Sequence, residues 1–160
     1  MTKSRGALQR KTVLDCALSM LGRKPYSRQE LGIALETKGY RAEEIGETLT
    51  RLLDWGYVDD RLYAETRIEK FLATGRSRLF IKHKLMEAGV PLEICGAELD
   101  RLYPPDQEKE LIYNLWREFH TKINGRKPTA KELMKWARKL LAAGFPKEDV
   151  QVCFEQEVDS

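Results

Sequence analysis

The stretch Leu85-Met86-Glu87-Ala88-Gly89-Val90-Pro91 decides the fold, because the chain contains it more than once. It returns as Leu140-Leu141-Ala142-Ala143-Gly144-Phe145-Pro146. It stands earlier, with Arg41 in the proline's place, as Leu35-Glu36-Thr37-Lys38-Gly39-Tyr40-Arg41. A glycine just past a helix can take the left-handed conformation that ends it, and the apolar residue beyond folds back onto the last turn. A proline two residues after the glycine suits the start of a new helix, where a missing N–H costs nothing.

Working outward from each glycine, the apolar register repeats. Leu35 and Leu31, Leu85 and Ile81, and Leu140 and Trp136 lie four and eight residues before the glycines. Ile45 and Leu49, Cys95 and Leu99, and Val150 and Phe154 lie six and ten residues after them. Both sets have helical spacing. Self-similarity at intervals of 50 and 55 residues is the mark of a repeat architecture. The start of the helix before each glycine is also marked. Ser27-Arg28-Gln29-Glu30 and Thr129-Ala130-Lys131-Glu132 read as capping boxes, in which a hydroxyl and a carboxylate satisfy orphan amides reciprocally. Ser77 keeps the cap in the second copy, with Phe80 where the acid would stand.

Each unit requires one more helix in front, expected at about 9–22, 60–74 and 106–123. Val13, Leu14, Ala17, Leu18 and Leu21 supply the apolar stripe of the first. Leu111, Ile112, Leu115, Trp116 and Phe119 supply that of the third. Asp60 and Asp106 are the expected N-caps, and Gly56 closes the helix before Asp60. No segment alternates long enough to make a strand. The expected fold is all-α, with three tandem three-helix repeats stacked into an elongated, curved array. The expected divisions are 1–58 (an N-terminal tail and the first repeat), 59–105 (the second) and 106–160 (the third). A three-helix unit this small cannot hide its own apolar face, so neighbours stack.

The loops between the first and second helices are basic in all three units. Gly22-Arg23-Lys24-Pro25 and Gly125-Arg126-Lys127-Pro128 share a tetrapeptide, and the second unit has Thr74-Gly75-Arg76-Ser77-Arg78. A single basic loop is ordinary surface. Three at equivalent places in a stack are expected to form a cationic stripe, suited to a partner with regularly placed negative groups. The candidate partner-binding residues are Arg23, Lys24, Arg28, Arg76, Arg78, Lys82, Lys84, Arg126, Lys127 and Lys131. Amides at the adjoining helix N-termini would add to anion contact. Trp55, Trp116 and Trp136 are expected in the core, and Tyr26 as the exposed aromatic.

The formal charge of the 160 residues is only +3, so placement carries more meaning than the sum. Catalytic chemistry is not expected: the chain has no glycine-rich phosphate loop, and His83 and His120 show no paired ligand spacing. No catalytic, metal-binding or cofactor-binding residue is assigned. Cys16, Cys95 and Cys153 are far apart and read as buried thiols of a reducing cytosol. No leading apolar run or bilayer-length segment is present, so no membrane contact is expected. A cytoplasmic monomer is the expectation.

Asp59-Asp60-Arg61-Leu62-Tyr63-Ala64-Glu65 resembles the "DDxxFAE" element of the RecX regulatory proteins. Ser27-Arg28-Gln29-Glu30-Leu31 with Lys38-Gly39-Tyr40 resembles their "SRxEL…KG" run. Leu53-Asp54-Trp55-Gly56-Tyr57-Val58 is similar to the lead-in of the same family, and Gly75, Ile81, Leu85 and Gly89-Val90 follow its middle unit. The middle loop departs from the family pattern at Ser77, Leu79, Phe80 and Lys84. The resemblance implies an all-helical, non-enzymatic modulator of the RecA recombinase. Such a protein lies along the RecA–single-stranded-DNA filament, blocks its ATPase and strand exchange, and restrains the response to DNA damage. Two other readings of the basic loops stay open. One is a sequence-independent DNA-binding repeat protein, whose affinity would fall steeply with salt. The other is a helical scaffold joining acidic partners.

Overall fold

Left-handed glycines end the second helix of every triplet, as the opening stretch requires. Gly39, Gly89 and Gly144 have φ of 88°, 79° and 90°. The amides beyond them close the same double hydrogen bond each time. Tyr40, Val90 and Phe145 donate to the carbonyls of Leu35, Leu85 and Leu140 at 3.3, 3.0 and 3.1 Å. The glycine amides donate to Glu36, Met86 and Leu141. This pairing satisfies the helix's orphan carbonyls and turns the chain toward its next helix.

The structure is a computed structural model that describes residues 10–158. Among the described residues it has nine helices and no strand. They are α1 (Val13–Leu21), α2 (Arg28–Thr37), α3 (Ala42–Asp54), α4 (Asp60–Ala73), α5 (Arg78–Glu87), α6 (Leu92–Leu102), α7 (Pro105–Lys122), α8 (Ala130–Ala142) and α9 (Lys147–Val158). In each triplet the second helix packs on the third: α2 on α3, α5 on α6, α8 on α9. Pro91 and Lys147 show that the new helices begin just after the prolines, so these stand before the first helical residue.

The first helices differ in detail from their expected starts. Residue 9, where the first was expected to begin, lies outside the described residues. Helix α1 is capped by Thr12, whose hydroxyl accepts from the Asp15 amide at 3.1 Å. Helix α4 is capped by Asp59, not Asp60: the Asp59 carboxylate accepts from the amides of Arg61 and Leu62 at 2.9 and 3.3 Å. Asp60 reaches instead to the Arg28 amide at the start of α2, 2.9 Å away. Helix α7 opens on Pro104-Pro105, which leaves Asp106 inside the first turn rather than at the cap. Proline needs no capping partner for an amide it lacks.

The chain divides into two compact units within α4, between Tyr63 and Ala64. In the first, Val13, Ala17, Met20, Leu31, Leu35, Ile45, Leu49, Leu52 and Val58 form one core. In the second, α7, α8 and α9 enclose Ile112, Trp116, Trp136, Leu140, Phe145 and Val150. Ile68, Ile81, Leu85, Val90, Cys95, Leu99 and Tyr103 are buried on α4–α6. The apolar positions read from the sequence are therefore core positions.

Trp55 is the exception, at 54% exposure, while Trp116 and Trp136 are buried. The helix ends beneath it: Trp55 is the C-cap of α3, and Gly56 turns the chain so that Val58 donates to the Leu52 carbonyl. Val58 then fills the place over the last turn that Trp55 would have taken. Tyr57 is exposed as well, at 60%. Tyr26, expected outside, is half-buried against the core of the first unit.

The second unit ties its own turns together. The Ser77 hydroxyl accepts from the Phe80 amide at 3.1 Å and donates to the Ala143 carbonyl at 2.7 Å. A Cβ on Gly144 would sit 2.8 Å from that hydroxyl oxygen. Gly144→Ala is therefore expected to cost about 2 kcal/mol or more, from the left-handed backbone plus the clash. Gly39→Ala pays the backbone strain with only a flexible Arg10 side chain nearby, at 3.2 Å. Denaturant unfolding of the two variants is expected to rank them in that order.

Candidate functional site

The candidate cations occupy the three loops between first and second helices, together with the helix starts that follow. Helix capping fixes those starts. Ser27 with Glu30, and Thr129 with Glu132, form the two expected capping boxes. Ser77 caps α5 alone. The shared tetrapeptide does not mean a shared backbone. Gly22 is an ordinary right-handed cap with φ −69°, whereas Gly125 has φ 69° and follows Asn124 at φ 57°. The loops are equivalent by their position between helices.

Helix N-termini offer less to an anion than expected. The third amide of α2, α5 and α8 is taken by the hydroxyl of Ser27, Ser77 or Thr129. The first amide is taken by Asp60 at α2 and by Glu108 Oε1, 2.8 Å away, at α5. The protein's own carboxylates occupy the positions where a bound anion would be favoured. Side chains carry what remains.

In the first loop Arg23 and Lys24 are exposed, with the Lys24 ammonium 4.5 Å from the centre of the Tyr26 ring. Arg28 is exposed at the start of α2. In the third loop Lys127 is exposed, as is Lys131 in the first turn of α8. None of these five side chains makes an ion pair among the described residues. Arg126 does: its guanidinium grips Glu132, with Nη1 3.0 Å from Oε2 and Nη2 on Oε1.

That grip holds the Glu132 carboxyl at about 2, well below the ordinary 4.5, with the Thr129 amide and hydroxyl adding to it. A carboxyl depressed in the folded state stabilises it fully above the ordinary value and loses that contribution as pH falls toward the folded one. The side-chain carboxyl 13C shift of Glu132 is accordingly expected to stay at its ionised position at pH 3 and to move with a midpoint near 2. A midpoint near 4.5 would show that the clamp does not form in solution.

The second loop divides its cations. Arg76 is exposed, its guanidinium 4.8 Å from the centre of the Phe80 ring. Lys82 is half-buried, and Lys84 pairs with Glu87 at 2.9 Å. Arg78 is turned inward. Its Nη1 donates to the Leu99 carbonyl at 3.1 Å and to the Tyr103 carbonyl, and its Nη2 meets Asp100 Oδ1 at 2.8 Å. Burial pushes the neighbouring Tyr103 phenol and Glu108 carboxyl upward. Among the described residues no group of three His, Cys, Asp or Glu side chains could hold a metal ion, and no helix is long and apolar enough to cross a membrane. Cys95 and Cys153 are buried as expected, whereas Cys16 is half-buried, and no disulfide joins the three.

Comparison with known proteins agrees with this architecture. The family model described as "RecX, first three-helix domain" matches residues 14–52. "Regulatory protein RecX" of Caldanaerobacter subterraneus subsp. tengcongensis is 28% identical over 144 residues, which is 90% of this chain and 70% of that one. Its namesake in Chromohalobacter salexigens is 31% identical over 143 residues, 89% of this chain and 91% of that one. The crystal structure of RecX from Lactobacillus salivarius superposes with a TM-score of 0.79 at 20% identity, covering 92% of this chain and 96% of that one. That last likeness is one of fold. With nearly the full described length aligned at 31% identity to a curated relative, the chain belongs to the RecX family of regulatory proteins.

Proposed function

We propose that this chain binds the RecA–single-stranded-DNA filament and mainly inhibits its ATPase and strand exchange, in the cytoplasm and as a non-enzymatic monomer. The three helix triplets, 1–58, 59–105 and 106–160, are the repeating units that present the contacts. The observation that carries this reading is the recurrence of exposed cations at equivalent loops in a chain of the RecX family: Arg23 and Lys24, Arg76, and Lys127. Exposed, unpaired cations lose little hydration until a partner arrives, and they attract an anionic polymer over a Debye length of about 8–10 Å at ordinary salt. Contact with DNA would be sequence-independent and mainly to the single strand. Restraint of the DNA-damage response, repair and recombination follows from that inhibition.

The test is RecA-dependent ATP hydrolysis on single-stranded DNA, titrated with this protein at rising salt. Progressive inhibition that weakens with salt is expected. No inhibition at any ratio would refute the proposal, and tight salt-sensitive binding to DNA without RecA would favour the DNA-binding reading instead.

A further inference from the structure

The second unit contains a cavity of about 680 Å³ between the α4–α5 loop, the C-terminal half of α7 and α8. Its floor is apolar, made by Leu115, Phe119, Trp136 and Phe145 among others. Its rim carries Arg76, Lys122, Lys135 and Lys139, all exposed. None of these four cations makes an ion pair among the described residues. Of the two acids on the rim, Glu132 is already held by Arg126, which leaves Glu118. The wall is fixed rather than improvised: the hydrogen bond from Ser77 to the Ala143 carbonyl pins the loop to the end of α8 across 66 positions of sequence.

We propose that this cavity docks an acidic peptide segment of a partner protein, with one or two bulky apolar side chains seated on the floor and flanking carboxylates on the rim. The chemistry selects that occupant. A bare phosphate would gain nothing from the apolar floor. A nucleobase needs an open ring face to stack on, but Trp136 and Phe145 are only 8% and 6% exposed, and the Trp136 ring already packs against Trp116, Phe119 and Phe154. A cavity of this size suits a large side chain with its neighbours, and the uncompensated cations around it match acidic flanks. Sequence reading pointed to Arg76 alone of the four cations. The signal for the others was Lys135 and Lys139 one helical turn apart, bracketing Trp136 and following Lys122 at the end of α7. The inference goes beyond the filament reading and does not depend on it.

The probe is a fluorescein-labelled synthetic peptide, EEDLFEDE, whose binding to the intact chain is read by fluorescence anisotropy. Removing the anchors (EEDGGEDE), or reversing Lys135 and Lys139 to glutamate, is expected to weaken binding at least about tenfold. Ala143→Trp should plug the cavity without altering charge and have a similar effect. Thr74→Trp serves the same purpose should the first variant lose its helical circular dichroism. Lys70→Glu with Lys147→Glu, exposed lysines that do not line the cavity, should change affinity less than about threefold. Equal binding of anchored and anchorless peptides, undiminished binding to either plugged variant, or no binding at millimolar peptide would each overturn the proposal. So would a thymidine 20-mer that binds the chain and is lost on plugging, because it would make the occupant a nucleic acid. The readout needs no RecA, so its failure leaves the filament reading standing, and the reverse also holds.

Discussion

Replacing Arg23, Lys24, Arg76 and Lys127 together by glutamate is expected to raise the concentration needed for half-inhibition of RecA ATPase at least about tenfold, with the fold intact. An exposed ion pair contributes on the order of 0.5 kcal/mol, so losing four amounts to roughly 2 kcal/mol, and new like-charge repulsion adds to it. About 1.4 kcal/mol already corresponds to a factor of ten. Helical content should hold because all four side chains are exposed and none makes an ion pair among the described residues. The measurement is ATP hydrolysis on single-stranded DNA at low and ordinary salt, beside circular dichroism. Inhibition by the variant equal to that of the parent at both salts would remove these loops from the contact surface.

Arg78→Ala is expected to cost about 2–4 kcal/mol of stability, although Arg78 belongs to the same basic run as Arg76. Its guanidinium serves the C-terminal end of α6, where the last carbonyls run short of intrahelical donors. It bonds the carbonyls of Leu99 and Tyr103 and pairs with Asp100, with the side chain only 20% exposed. Truncation strips the Tyr103 carbonyl of its donor and leaves the Leu99 carbonyl with the Tyr103 amide alone, beside a Tyr103 side chain only 1% exposed. Arg78→Lys should recover only part of the loss, because a single ammonium cannot span three acceptors as a planar fork does. Arg76→Ala, by contrast, removes one exposed cation lying over a ring and should stay within about 0.5 kcal/mol. Denaturant unfolding of the three variants tests the contrast. Similar losses for Arg78→Ala and Arg76→Ala would show that the inward contacts carry no weight.

The two arginines also mark the limit of what the sequence made legible at the candidate site. Both looked like members of one cationic stripe, two residues apart. One faces solvent and the other is part of the frame, because acceptors 21 to 25 positions downstream reach Arg78 and not Arg76. The same holds for Arg126, which Glu132 claims six residues on, and for the helix N-termini that Asp60 and Glu108 fill from 32 and 30 positions away. Trp55 was misplaced for a nearer reason. Its spacing continued the buried stripe of α3, but the helix stopped at that residue and Val58 took the space.

By itself the sequence determined where α2, α5 and α8 begin and end. The left-handed glycine with its apolar follower and the hydroxyl cap are both closed by hydrogen bonds within a span of six residues, so the chain next to them is sufficient to dictate them. Only the tertiary structure decided which cations stay free and that a cavity opens beside Trp136. Those outcomes depend on carbonyls, carboxylates and apolar surfaces brought together from tens of residues apart, and no local pattern encodes that proximity.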